Sequence, residues 1–465
     1  MIGRNAMALV ASQIVTKALN LAVAVVLVRW LGADELGRYA YVLAFCFPFG
    51  ALADFGVATL AIREASAQPA RAGAVIAAAR RLTAGLGLAA VLVMMAVAIL
   101  TGHEPRLLAA FALAGLGSLL SAFTLPYLVG LTAREELRRL SLHRVVGSVT
   151  GGMLTLAVLL AGGGLLALFA AGVATSVLML VLARALAGRA LACSERAPVG
   201  AMARQALPFG LLMIGFALYY RVDMVMLEWM AGSRAVGVYA AAYRFLDVVI
   251  VLAASLTGPL FPRLSAVARA RPDEARRLLE DAWRPLLALG LPLSIGAWAL
   301  APLLVGVLFG DAFADSAPLL RVLIWATLPL FWVSVANHAL IAADRVWPLV
   351  AVYAASAALN VIANLLLIPR FGAAGAAAAT LACEWLNLAA VVVLVRSAFG
   401  VSLSWAGLWR YAGAAALMLA GVWVFREAGL AAAVVAGAAL YGGALWALGY
   451  LGSADHVAMK RLLAQ

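Results

Sequence analysis

Residues 32–64 read GADELGRYAYVLAFCFPFGALADFGVATLAIRE, and two hundred residues further on, residues 232–264 read GSRAVGVYAAAYRFLDVVIVLAASLTGPLFPRL. The two stretches place the same residue types at the same distances. Gly32, Leu36, Gly37, Tyr39 and Ala40 correspond to Gly232, Val236, Gly237, Tyr239 and Ala240. Each run then closes on a leucine and an arginine, Leu60 and Arg63 in one, Leu260 and Arg263 in the other. The apolar part of each run is of the length, about 20 residues, that an α-helix needs to cross a hydrocarbon core roughly 30 Å thick. It lacks the period-two alternation of a barrel strand. A helix is then the remaining spanning form, because it satisfies its own backbone hydrogen bonds. The stretch is a membrane span, and it occurs twice.

Working outward, the same reading gives fourteen spans: 8–28, 37–60, 82–101, 107–130, 145–161, 165–183, 205–228, 235–260, 285–308, 318–342, 347–368, 373–395, 408–425 and 430–451. Composition agrees. The 465 residues are 66% hydrophobic and only 12% charged, and mean hydropathy is +1.04, whereas a water-facing chain carries about a quarter charged residues. The expected fold is all-α and polytopic. The matched stretches are the second and eighth spans, an even offset, so both halves keep one orientation. Two parallel six-helix repeats are expected, over 1–190 and 201–396, followed by two further helices within 405–452. A weaker match links Gly162–Ala174 to Gly372–Thr380. The first span lacks a small-residue cleavage site and holds Lys17, which reads as a retained helix.

The formal charge is +13, a value that invites nucleic acid as a partner. Its distribution points elsewhere. Of the 34 basic residues, 24 fall in connections on one side of the fourteen spans and 6 on the other. That bias places the basic side, and both termini, in the cytoplasm. The longest connection, 263–284, is cytoplasmic in this reading and contains a short amphipathic helix near 272–279. Cys46, Cys193, Cys383 and the four histidines show no ligand spacing, so neither metal nor cofactor is expected. The external connections are too short for the catalytic loop of a polytopic O-antigen polymerase or ligase, which argues against an enzyme.

Ionisable groups inside spans are costly and are functional hypotheses by default. They are Lys17 in span 1, Asp54 in span 2, Arg221 and Asp223 in span 7, and Arg244 and Asp247 in span 8. These four spans are repeat equivalents and are expected to form one polar substrate cavity. Gln13, Lys17 and Asn20 share a helical face, and so do Tyr239, Tyr243 and Asp247. Lys17, Arg221 and Arg244 are the candidate cations, with Gln13, Asn20, Tyr239 and Tyr243 beside them. Asp54, Asp223, Asp247 and Glu384 are candidates for charge balance or a coupling ion. A second polar set, Tyr353, Ser356, Asn360 and Asn364 with Thr380, Glu384 and Asn387, reads mainly as hydrogen bonding between spans 11 and 12. Arg321 reads as an interfacial anchor.

Four segments together carry a family resemblance. They are Gly32 to Tyr41; Asp54-Phe55-Gly56 with Arg63-Glu64; Arg221-Val222-Asp223 leading to Gly237-Val238-Tyr239; and Asn360 through Asn364, Pro369 and Gly372-Ala373-Ala374-Gly375 to Glu384. In order and spacing, over the whole chain, they resemble the Wzx-type polysaccharide flippases of the multidrug/oligosaccharidyl-lipid/polysaccharide exporter superfamily. The resemblance implies an inverted-V exporter fold, alternating access and an undecaprenyl-pyrophosphate oligosaccharide as cargo in the bacterial inner membrane. It also implies membrane lipid and other polysaccharide assembly proteins as partners. Lipid II flippases and multidrug exporters of the same superfamily are the alternatives. The arginine-aspartate signature of the former is missing from the first span, and the latter favour an acidic lumen.

Overall fold

The computed structural model describes residues 2–188, 199–402 and 408–449. Its sixteen α-helices are α1 (Ile2–Asp54), α2 (Val57–Ala67), α3 (Ala72–Leu100), α4 (Pro105–Ala133), α5 (Leu137–Leu160), α6 (Leu165–Ala187), α7 (Val199–Ala231) and α8 (Ser233–Thr257), then α9 (Leu260–Val267), α10 (Pro272–Phe309), α11 (Ser316–Leu323), α12 (Thr327–Ala342), α13 (Val346–Phe371), α14 (Ala373–Phe399), α15 (Leu408–Phe425) and α16 (Leu430–Ala447). Among the described residues there is no strand, and 13 helical stretches are long and apolar enough to cross a membrane. The first of them, Leu19–Ala67, takes in the end of span 1 and the whole of span 2 of the sequence reading. The chain is an all-α, multi-pass membrane protein. Large apolar side chains such as Leu100, Leu160, Val181, Ile362 and Val435 are exposed on its surface, as a lipid-facing exterior requires.

What divides α1 is Gly32, whose φ of 70° and ψ of 175° interrupt the helix. Gly232, at the matching position of the second stretch, takes almost the same angles, φ 81° and ψ 172°, and opens α8. Side chains with a Cβ rarely adopt this conformation.

Three expectations need correction. The amphipathic segment at 272–279 is not a separate helix but the first turns of α10, which runs 38 residues to Phe309. Pro272 starts it, Asp273 and Glu274 complement the positive helix end, and no turn follows before the apolar run. Span 10 is interrupted by a 3-10 turn at Ile324–Ala326. The helix of span 2 breaks after Asp54 and resumes as α2 at Val57, for reasons given below.

By contact density the chain forms two compact units, Met1–Glu228 and Trp229–Gln465. In the first, Val57, Leu60, Ala61 and Ala65 of α2 pack with Val75, Ile76, Ala78 and Ala79 of α3, Val129 of α4, and Met202 and Ala206 of α7. In the second, α15 and α16 pack on α10 around Tyr411, Met418, Val422 and Tyr441. Small residues let these helices approach closely, since a Cβ on Gly421 would come 2.2 Å from Leu440 Cδ1.

α10 contains Pro285, Pro292 and Pro302. Each proline lacks the N–H that would serve the carbonyl four residues earlier. Two of those carbonyls are recovered by side chains from other helices. Tyr441 of α16 donates its hydroxyl to the Ala288 carbonyl at 2.9 Å, opposite Pro292. Arg321 of α11 donates Nε to the Trp298 carbonyl at 3.3 Å, opposite Pro302, and lies 5.8 Å from the centre of the Trp298 ring. Arg321 thus serves a proline-vacated carbonyl, a role more specific than the anchor expected of it.

Candidate functional site

The site begins at the break between α1 and α2. After Asp54 the chain turns left-handed for two residues, Phe55 at φ 48° and Gly56 at φ 71°. For phenylalanine this is a rare and strained conformation. Packing holds it. A Cβ on Gly56 would lie 2.5 Å from Phe209 Cβ, and one on Gly210 would lie 2.6 Å from the Phe55 ring. The break is therefore interlocked with α7. Asp54 accepts the Ala58 N–H at 3.0 Å, covering one of the open amides at the start of α2. Non-helical backbone inside a spanning element is tolerated where it is buried in protein or lines a cavity. Here it does both. A cavity of about 430 Å³ lies beside the second arm of α1, walled by that arm, α4 and α6. Asp54 lines it, with Tyr39 and Cys46 of the same arm, Ser118 and Ser121 of α4, and Ser176 of α6.

Further along α7, Arg221 is half-buried against aromatic faces. Its guanidinium carbon is 4.3 Å from the Tyr220 ring centre and 5.9 Å from that of Phe47. Asp223 is buried and accepts the Met224 N–H at 2.7 Å. Asn20, on the first arm of α1, accepts the Ser148 hydroxyl at 2.6 Å. The side chains of Gln13 and Lys17 lie outside the described residues. Within the first unit the structure thus brings Arg221 to the second arm of α1 through Phe47.

In the second unit, Arg244 and Asp247 form an ion pair at 3.6 Å on α8, each about a quarter exposed. Tyr239 and Tyr243 are buried, their ring centres 5.6 Å apart, and Tyr239 shares a hydrogen bond of 3.0 Å with Thr380. These tyrosines are packing groups here and present no open ring face to a sugar. Glu384 is buried in α14. The Tyr353 hydroxyl of α13 accepts the Asn337 amide at 2.7 Å. Asn364 bonds Asn360 at 2.7 Å. The polar residues of α13 and α14 are thus buried side by side, with hydrogen bonds that run within α13 and out to α12 and α8.

The cavity serines escaped the sequence reading, which looked for charge and found none in α4 and α6. The available signal was modest: Asp54 followed by Gly56 inside an apolar run, and serines spaced by one turn at 118 and 121.

The family described as Polysaccharide biosynthesis protein matches residues 2–268, and the family Lipid II flippase MurJ matches residues 145–442. No curated protein matches the chain by sequence. Among solved structures, lipid II flippase MurJ in an inward closed conformation superposes with a TM-score of 0.78 at 12% identity, covering 97% of this chain and 99% of that one. A multidrug resistance MATE family transporter in an inward-facing conformation gives 0.61 at 16% identity, over 83% and 94% of the two chains. A MOP superfamily transporter from Pyrococcus furiosus, described as having a binding pocket of reversed polarity, gives 0.62 at 15%, over 86% and 95%. At these identities the structural likeness speaks for the fold alone.

Proposed function

The chain belongs to the flippase families of the multidrug/oligosaccharidyl-lipid/polysaccharide exporter superfamily, and from that premise we propose that it carries undecaprenyl-pyrophosphate-linked oligosaccharide across the bacterial inner membrane, by alternating access, for O-antigen, capsule or exopolysaccharide assembly. It is a flippase and not an enzyme.

The observation that carries the cargo reading is the half-buried Arg221, held within a spanning helix on the faces of Tyr220 and Phe47. A pyrophosphate cannot enter a low-dielectric slab without counter-charge. A guanidinium is weakly hydrated, stacks on aromatic faces and offers a bidentate fork to phosphate. Lys17 and Arg244 add further positive charge in this reading. Asp247, paired with Arg244, and Asp54, Asp223 and Glu384 balance that charge or carry a coupling ion. The basic bias of the connections supports cytoplasmic termini in this reading.

Lipid II is the second reading, favoured by the match to its flippase family over residues 145–442. Reconstituted protein decides between the two. It should move fluorescent undecaprenyl-pyrophosphate oligosaccharide between leaflets of proteoliposomes, and Arg221→Ala should slow that movement about tenfold or more, the loss of one charge-assisted contact. Movement of lipid II with none of the oligosaccharide would reverse the assignment.

A further inference from the structure

The cavity beside the broken helix shares only Asp54 with the charge argument, and the rest of its wall is of a different kind. Its volume, about 430 Å³, falls in the range of small-ligand pockets, roughly 300–1,000 Å³. At one place on its wall Tyr39 stacks on Phe169 with ring centres 5.3 Å apart, and Tyr39 is partly open. Elsewhere the wall is rich in acceptors. Ser121 and Ser176 donate to their own helix, to the Gly117 and Gly172 carbonyls at 2.9 and 3.0 Å, so their lone pairs remain to accept. Asp54 commits one carboxylate oxygen to Ala58. Among the described residues that line the cavity there is no lysine or arginine.

These walls select a ligand by exclusion and by fit. A phosphate would meet the Asp54 carboxylate with no cation beside it. A polyprenyl tail would press hydrocarbon on that carboxylate without offering a donor, which burial of a charged group does not tolerate. A sugar ring fits on both counts, since its O–H groups donate to the carboxylate and the serines while its C–H face lies on an aromatic ring. Gly50 and Gly172 keep the space open, as a Cβ at either would meet nothing within 4 Å.

We propose that this cavity is the sugar subsite of the cargo, taking a neutral or amino sugar of the lipid-linked oligosaccharide, apart from the basic groups that receive its pyrophosphate. The proposal rests on the cargo reading above. Its placement suits one ligand with a phosphate end and a sugar end. Arg221 approaches Phe47, the residue after Cys46 of the cavity wall, so the cation and the cavity occupy adjacent faces of one helix arm.

The test uses the full chain in lipid nanodiscs with free N,N′-diacetylchitobiose and glucosamine as probes, read by saturation-transfer NMR. Gly172→Leu projects a side chain into the cavity from a wall position where a Cβ meets nothing within 4 Å. It should abolish the sugar signal while inorganic pyrophosphate, read by calorimetry, binds as to the wild type. Asp54→Asn should weaken the amino sugar about tenfold, the loss of a charge-assisted hydrogen bond. A sugar signal equal in Gly172→Leu and the wild type overturns the subsite. So does a wild type that shows no sugar signal but is stabilised by sodium ions in a manner lost in Asp54→Asn. Flipping in proteoliposomes separates the two readings. If the wild type and Gly172→Leu flip alike and bind the sugars alike, the subsite alone is overturned. If the wild type moves no lipid-linked oligosaccharide, the cargo reading is overturned.

Discussion

Replacing Tyr441 by phenylalanine removes one hydroxyl and keeps the ring. The hydroxyl donates to the Ala288 carbonyl at 2.9 Å, and both residues are buried. That carbonyl has lost its helical donor because residue 292 is proline. The variant therefore leaves a buried acceptor bare, at a cost of about 1–2 kcal/mol, between the penalty for an unmet acceptor and the smaller values measured for hydrogen bonds between membrane helices. The same substitution made on a Pro292→Ala background should cost only a few tenths of a kcal/mol, because the new N–H at 292 serves Ala288 from within α10. The coupling between the two sites is then on the order of 1 kcal/mol. Reversible unfolding of the detergent-solubilised protein, followed by tryptophan fluorescence for all four members of the cycle, measures it. Equal costs of Tyr441→Phe on the two backgrounds would refute the account, for the hydroxyl would then not be standing in for the missing N–H.

Gly56→Ala should destabilise the protein by about 2–4 kcal/mol, adding the left-handed penalty to overpacking against Phe209, while Gly50→Ala on the same arm stays within about 0.5 kcal/mol of wild type; thermal unfolding in detergent compares them. Lys17→Ala should abolish surface polysaccharide with a normal level of protein in the membrane, and Lys17→Arg should keep part of it, because charge is retained and shape is not; immunoblots of polysaccharide and of membrane fractions read both. Reporter fusions after Arg81, Arg144 and Arg284 should all report the cytoplasm, and one external signal among them breaks the proposed orientation.

The spans were legible because a membrane helix needs a long, uninterrupted apolar run and little else. The bend at Gly32 was partly legible too, since the same spacing recurs at Gly232. The ion pair of Arg244 with Asp247 follows from a three-residue separation on one helix. The polar set of α13 and α14 was visible as residues one turn apart. The break after Asp54 was not legible. Nothing local announces a phenylalanine at φ 48°, which depends on Phe209 and Gly210, some 150 residues away. The cavity was hidden for a related reason. A serine that bonds its own helix reads as inert, and only the packing of α1, α4 and α6 shows that its lone pairs face a space. Arg321 and Tyr441 were opaque because their partners are carbonyls freed by prolines elsewhere in the chain.

The joint at Phe55 and Gly56 has a mechanical consequence. A continuous helix is a stiff rod, because every turn is braced to the next by hydrogen bonds. At this joint the torsion of two residues replaces that bracing. Below it, α2 is bolted to α3, α4 and α7 by the side chains around Leu60; above it, the arm borders open volume along Tyr39, Cys46 and Asp54. The joint is wedged against Phe209 and Gly210, so load on the arm passes sideways into α7 through that wedge as well as along the chain into α2.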